Sequence, residues 1–248
     1  MILLASAVAG CGSSPRTAPP PPEDVAETEK TVASCRPGLT RPVGTPTSSY
    51  AAVVQGHAVA YRRPGGAELA GFGRRNANGV PTVFAVRAGR LAGDCEPTWY
   101  RVQLPMKPNG ITGWVRAEDV ELAQVSTRVV VDLSDRTVTL FDGGRRVLST
   151  PAAIGKPGTP TPTGRFYVDQ RLRAADPSGP FGPAAVGISA FSEVLTGWTQ
   201  GGPIAIHGTN RPDLIGHAVS TGCIRIRNDV LRTLFERTRA GTPVTVRA

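Results

Sequence analysis

Hydrophobic residues in this chain come in short bursts broken by Gly, Pro, Asn and Asp, and few of them keep a helical period. Between residues 45 and 125 the bursts are Val53-Val54, Val83-Phe84-Ala85-Val86, Trp99-Tyr100-Arg101-Val102-Gln103-Leu104 and Gly113-Trp114-Val115. Their length and their β-branched and aromatic content predict strands. Asn109-Gly110 predicts a hairpin turn between the last two, because both residues tolerate positive φ. Many short strands without a convincing helix predict a small β-barrel. Trp99 and Trp114 are assigned to its core, with a groove wall as the alternative, and His57 to its surface.

The second half repeats the pattern with longer strands. Arg128–Leu133 and Thr137–Phe141 flank a turn at Ser134-Asp135-Arg136, and a second turn follows at Asp142-Gly143-Gly144. Gly155–Gly164 has too many prolines for a sheet interior and reads as a loop, after which Arg165–Val168 resumes a strand. Residues 171–202, rich in Gly, Pro and Ser, read as long loops beside a cleft. Helical period appears once, with Val230, Leu231, Leu234 and Phe235 on one face. Asn228 is the expected cap, Gly241 the expected stop, and Thr242–Val246 a last strand. The fold class is therefore mostly β: a small barrel, then a β-sandwich with one packed helix.

Composition adds an envelope setting. The apolar run Ile2–Gly10 is far short of the ~20 residues that span a bilayer and suits a signal-peptide core. Its end, Val8-Ala9-Gly10-Cys11, resembles the bacterial lipobox, which implies lipidation at Cys11 and a chain anchored to the membrane outside the cytoplasm. No Lys or Arg precedes Cys11, a departure from the usual signal. Residues 12–44, with four consecutive prolines at Pro19–Pro22, form a Pro-rich linker that lifts the folded part from its anchor. Cys35 and Cys95 flank the first folded region and could form a disulfide in an oxidising compartment. The formal net charge of +9 is spread along the chain without a basic run, so an anionic envelope polymer suits it better than nucleic acid.

The remaining cysteine, Cys223, lies sixteen residues beyond His207, and small residues surround both. A thiol attacks a carbonyl as thiolate, and an imidazole can take its proton. If 204–207 and 223–227 are extended, Ile204, Ile206, Ile224 and Ile226 enter the core. His207, Cys223, Arg225 and Arg227 then share the other face. Arg225 would favour thiolate or bind a substrate carboxylate. The Gly208 carbonyl can fix the imidazole tautomer, and the N–H groups of Thr221, Gly222 and Cys223 can meet a developing oxyanion. His217 reads as a solvent-facing loop residue, and the spacing of His207, His217 and Cys223 matches no strong zinc pattern.

Three segments, GKPGTPTPTGRF at 155–166, IHGTNRPDLIG at 206–216 and the run Ser220–Ile226, resemble the catalytic domain of L,D-transpeptidases of the YkuD type over about residues 127–247. WYRVQLP followed by NGITGWVRAEDVEL resembles a bacterial SH3-like domain. The boundaries expected are signal peptide 1–11, linker 12–44, SH3-like barrel 45–125 and catalytic domain 126–248. The first resemblance implies that Cys223 is acylated by a peptidoglycan stem tetrapeptide at its diaminoacid, releasing D-Ala, and that a second stem's amine completes a 3→3 cross-link. It also implies His207 as base, Gly208 as its orienting carbonyl, Ser220 and Arg225 as shapers of the site, and carbapenem β-lactams as inhibitors. Thr221 departs from the many relatives that carry a second His there. No cofactor or metal is called for. The competing expectations are an L,D-carboxypeptidase, in which water replaces the amine, and a non-catalytic wall-binding lipoprotein.

Overall fold

The computed structural model describes residues 36–195, 197 and 199–248. Cys11, Cys35 and most of the Pro-rich linker lie outside them. The first half supplies β1 (Thr40–Pro42), β2 (Ser49–Val54), β3 (His57–Tyr61), β4 (Glu68–Gly73), β5 (Val83–Leu91), β6 (Pro97–Gln103), β7 (Thr112–Arg116) and β8 (Val120–Val125). They form one sheet in the order β4-β3-β7-β6-β5-β2-β8, with β1 added to β5. Alternate residues Ala52, Val54, Phe84, Val86, Tyr100 and Val102 fill its core, as period-two burial requires. Trp99 and Trp114 do not: both are partly exposed and outside that cluster. On β6 the inward face belongs to Tyr100 and Val102, so Trp99 stands on the outer face, edge-on to Tyr61 and beneath Arg116.

The second half contributes β9 (Thr127–Asp132), β10 (Thr137–Asp142), β11 (Arg145–Pro151), β12 (Ile154–Gly155), β13 (Gly164–Arg173), β14 (Ala184–Phe191), β15 (Pro203–His207), β16 (Ala218–Ser220), β17 (Ile224–Arg225), α1 (Asn228–Arg237) and β18 (Pro243–Arg247). Eight of these strands make a mixed sheet in the order β11-β10-β9-β18-β13-β14-β15-β17. Its core face carries Val129, Val138, Phe166, Val186, Ile188, Ile206 and Ile224, closed over by Leu231, Leu234 and Phe235 of α1. The expected long loops at 171–202 are corrected here. β13 runs on to Arg173, and β14 is a buried central strand between β13 and β15. Its sequence, AAVGISAF, is small and buried along nearly its whole length, so it shows no polar alternation to mark it as a strand.

The other face of this sheet meets the first sheet at its β13 side. Tyr167 donates its hydroxyl to the Val83 carbonyl at 3.1 Å, and Gln103 Nε2 donates to the Arg165 carbonyl at 2.8 Å. Asn109 pairs with the backbone of Phe191 in both directions, at 2.8 Å each. Asn109 therefore ties the β6–β7 hairpin to β14, while the positive φ of that hairpin sits at Gly110. The first sheet thus walls one side of a face whose far edge, β17, carries the candidate chemistry.

Candidate active site

β15 and β17 run side by side and parallel, with Ile206 opposite Ile224 and His207 opposite Arg225. The four isoleucines 204, 206, 224 and 226 are all buried in the core. Alternation then sends Ala205, His207, Cys223 and Arg225 to the opposite face. Cys223 is a free, partly buried thiol at the end of β17, and the Ala205 N–H donates toward its sulfur. His207 is only 3% exposed, and its Nδ1 lies 2.6 Å from the Gly208 carbonyl oxygen. A carbonyl can only accept, so Nδ1 carries the proton and Nε2 is left as the basic nitrogen.

Burial governs the charge state. It pulls the His207 pKa down to about 4, against the raising effect of the Gly208 carbonyl and with a further lowering from Arg225. It also pushes the Cys223 thiol above its ordinary value, although the Ala205 N–H and Arg225 act the other way. Arg225 has the sign expected of it, but desolvation outweighs it. Burial thus favours the neutral thiol and the neutral imidazole over thiolate and imidazolium.

The turn before Cys223 is held by its own side chains. Ser220, fully buried, donates Oγ to the Cys223 carbonyl at 2.6 Å and accepts from the Gly222 N–H at 3.1 Å. The Gly222 N–H is thereby occupied and is corrected out of the expected oxyanion donors, leaving those of Thr221 and Cys223. Gly222 has φ +116°, and a Cβ there would lie 2.9 Å from Ile204 Cδ1, so the position requires glycine. Thr221 is exposed.

Two sets of supporting residues went unread in the sequence. The proline-rich loop after β12 is a clamp: Thr161 Oγ1 donates to the Gly222 carbonyl at 2.8 Å and accepts from the Gly155 N–H at 2.9 Å. Thr159 Oγ1 donates to the Ser220 carbonyl at 3.0 Å. Behind His207, Asn228 Oδ1 accepts from the Thr209 N–H at 2.8 Å. Asn228 is thus not the helix cap: the residue at that place is Arg227, which makes no side-chain cap bond. A Cβ on Gly208 or on Gly182 would lie 2.2 or 2.3 Å from Asn228 Oδ1, so glycine at both lets the amide in. The helix ends at Arg237, where Thr238 Oγ1 bonds the Leu234 carbonyl, and Gly241 belongs to the following turn. Phe181, an exposed aromatic, lies with its ring 4.9 Å from that of His207.

Residues 126–246 match the family model of the YkuD L,D-transpeptidase catalytic domain. The second half of the chain is a YkuD-family domain. A Bacillus subtilis protein named L,D-transpeptidase YkuD is 38% identical over 118 residues, 48% of this chain and 64% of that protein. An Escherichia coli protein named L,D-transpeptidase YcfS is 38% identical over 78 residues, 30% of this chain and 22% of its own. The chain therefore spans less than two thirds of the curated relatives it matches. Among solved structures, an Enterococcus faecium L,D-transpeptidase mutant aligns at 27% identity with a TM-score of 0.38, covering 49% of each chain.

The YkuD domain here holds His207, Gly208, Ser220, Gly222, Cys223 and Arg225 at the adjoining ends of two parallel strands. Arg225 keeps its Nε buried without a hydrogen-bond partner among the described residues, while its backbone exchanges two 2.8 Å bonds with Ala153. Cys95, at φ 72°, takes part in a disulfide and lies in the other half of the chain. His217 is exposed. Among the described residues no group of three or more His, Cys, Asp and Glu is placed to hold a metal, and no helix is long and apolar enough to cross a membrane. A base with a fixed tautomer beside a thiol on a braced turn suits acyl transfer.

Proposed function

We propose that the chain is a peptidoglycan L,D-transpeptidase that forms 3→3 cross-links through a Cys223 acyl-enzyme. The observation that carries the reading is the free Cys223 immediately before β17, the strand paired with that of His207, whose Nε2 is kept basic by the Nδ1–Gly208 bond. Cys223 Sγ attacks the carbonyl of the diaminoacid in a stem tetrapeptide as His207 Nε2 takes the thiol proton. The sulfur–carbon bond forms, the carbon–nitrogen bond to the terminal D-Ala breaks, and the imidazolium returns the proton to the leaving amine. An acceptor stem's amine then attacks the thioester, the carbon–sulfur bond breaks, and the proton passes through His207 back to the thiol.

Because thiol and imidazole are both neutral at rest, proton transfer and attack are coupled. The N–H groups of Thr221 and Cys223 receive the oxyanion; one such donor in acyl transfer is worth about 3 kcal/mol of barrier. Arg225 orients a carboxylate of the substrate. Carbapenem β-lactams, which offer the thiol a strained amide, acylate Cys223. The first sheet serves as an SH3-like spacer, and lipidated Cys11 tethers the enzyme to the outer side of the membrane through residues 12–44, with the Cys35–Cys95 disulfide as a staple at its base.

Digestion of cell wall after incubation with the purified chain tests the reaction. The expected products are 3→3-linked dimers and free D-Ala, both absent with Cys223→Ala. Tripeptide stems without dimers would assign the chain to carboxypeptidase chemistry instead.

A further inference from the structure

The base is only partly covered by its own sheet. On the face that carries the chemistry, register aligns Leu172, Ala185, His207 and Arg225 in one row across β13, β14, β15 and β17. On the β14 side the imidazole therefore has a methyl for its cross-strand neighbour, which is short against a ring. Yet His207 is only 3% exposed. Phe181 accounts for the difference: its ring centroid lies 4.9 Å from that of the imidazole, with the planes tilted by 56°. Phe181 is itself 53% exposed, more than any other large apolar side chain among the described residues. The outer layer over the base is thus an aromatic ring that itself meets solvent.

The loop that carries the ring, between β13 and β14, is braced. The Ala174 N–H donates to the Pro183 carbonyl at 3.1 Å, the Gly179 N–H to the Asp176 carbonyl at 3.2 Å and the Gly182 N–H to the Gly179 carbonyl at 3.0 Å. Asp176 Oδ1 accepts the Ser178 N–H and hydroxyl at 2.9 and 2.6 Å. Gly182, at φ +61°, follows Phe181 directly and presses on the backbone next to the base: a Cβ there would lie 2.7 Å from Gly208 Cα. That close approach fixes where the Phe181 side chain begins. The ring also borders an open chamber of about 410 Å³, lined by Leu172, Pro180, Ala184 and Ala185, so it is not part of a packed core. The chemistry proposed above gives no residue of this loop a role.

We propose that Phe181 decides which acceptor takes the acyl group, by keeping bulk water off His207 and by offering its exposed face to the hydrocarbon chain that bears the attacking amine. The inference rests on the acyl-transfer reading given above. A thioester on Cys223 has two exits. In one, an amine attacks: the carbon–nitrogen bond forms, the carbon–sulfur bond breaks, and the amine proton passes through His207 to the sulfur. In the other, water attacks the same carbon by the same proton route, and a tripeptide acid leaves the free thiol. Either nucleophile gives its proton to His207 Nε2, and so comes alongside the imidazole, where the ring stands. Water gains nothing from an aromatic face, whereas each methylene buried there favours the amine about fourfold. The ionisable groups beside His207 on this face are Cys223 and Arg225. Asp176, on the loop, is turned to Ser178 instead. Burial holds the imidazole neutral, with its pKa down at about 4, and the ring that supplies part of that burial keeps Nε2 free to receive the proton.

The test is the partition of one shared intermediate. The full chain and its Phe181→Ala and Phe181→Leu variants are incubated with the stem tetrapeptide, and cross-linked dimer and tripeptide are quantified together. Both products leave the same acyl-enzyme, so a change that merely slows the enzyme leaves their ratio alone. Phe181→Ala is expected to lower the dimer-to-tripeptide ratio about four- to fifteen-fold, the contact of one or two methylenes, and Phe181→Leu to restore most of it. Half exposed beside an open chamber, position 181 accepts both substitutions without loss of the fold. NMR titration of His207 without substrate should move up from about 4 in Phe181→Ala. A ratio that Phe181→Ala leaves unchanged, or an imidazole titration that does not move, overturns the proposal. A parent chain whose Cys223 is never acylated contradicts the catalytic reading instead, and the titration still decides whether the ring shields the base.

Discussion

Asn228 Oδ1 accepts the Thr209 N–H at 2.8 Å, so the first residue of the helix holds the backbone two residues beyond His207. The carboxamide fills the space that glycine leaves at both 182 and 208, and Gly208 is the residue whose carbonyl fixes the imidazole. Removing it should loosen the base without removing it. Asn228→Ala is expected to lower the acylation rate about 10- to 100-fold, the scale of a small misplacement of a catalytic group. The His207 titration should move up toward 6.5 as the ring gains water. NMR of the imidazole together with acylation kinetics checks this; an unchanged titration with slower chemistry would mean a different cause.

The neutral resting pair predicts a specific pH profile. Alkylation of Cys223 by iodoacetamide should climb without a plateau through neutral pH, because burial holds the thiol above its ordinary value. A plateau near pH 7 would show a preformed thiolate–imidazolium pair. Acylation should be limited on the acid side only near pH 4, where His207 takes a proton.

Stability should carry the same signature. Between about pH 4 and 6.5 the unfolded chain binds a proton at His207 that the folded chain does not, so stability falls as pH falls through that window. A shift of this size is about 3 kcal/mol in full. Asp169, raised to about 7, has the opposite sign: its contribution is present at low pH and is lost as pH rises through 7. Asp169→Asn is therefore expected to raise the melting temperature at pH 8 and to steepen the acid-side loss in melting scans across pH.

The clamp predicts a coupling between loop and nucleophile. Thr161→Val keeps the shape and removes both hydrogen bonds, leaving the Gly155 N–H and the Gly222 carbonyl unpaired beside Cys223. The cost expected is about 2 to 4 kcal/mol of stability, with slower acylation, read from denaturant unfolding and rate together. Gly222→Ala should be worse for folding, since φ +116° and Ile204 both oppose a methyl. Ile204→Val in that background would relieve the contact but not the backbone strain, so rescue should be partial.

The legible parts of the sequence were those in which period and chemistry coincide. Alternating Ile204, Ile206, Ile224 and Ile226 set His207 and Cys223 on one face, and the helix shows its buried face through Leu231, Leu234 and Phe235. β14 was hidden because burial along nearly all its length leaves no alternation, and its small residues imitate a loop. Asn228 was misread because a helix-start asparagine is ordinarily a cap; here a long-range backbone donor outcompetes the local one. Thr161 looked like filler among prolines, since nothing local shows that its partner is Gly222, 61 residues away. Trp99, expected in the core, stands outside it because the strand's alternation gives that face to Tyr100.

The central claim is a covalent bond at one sulfur, and intact-mass spectrometry reads it directly. Incubated with a stem tetrapeptide or a carbapenem, the chain should gain one tripeptide acyl group or one whole drug, mapped to Cys223 and absent in Cys223→Ala. An unmodified wild-type chain, or an adduct that survives the substitution, would contradict the account.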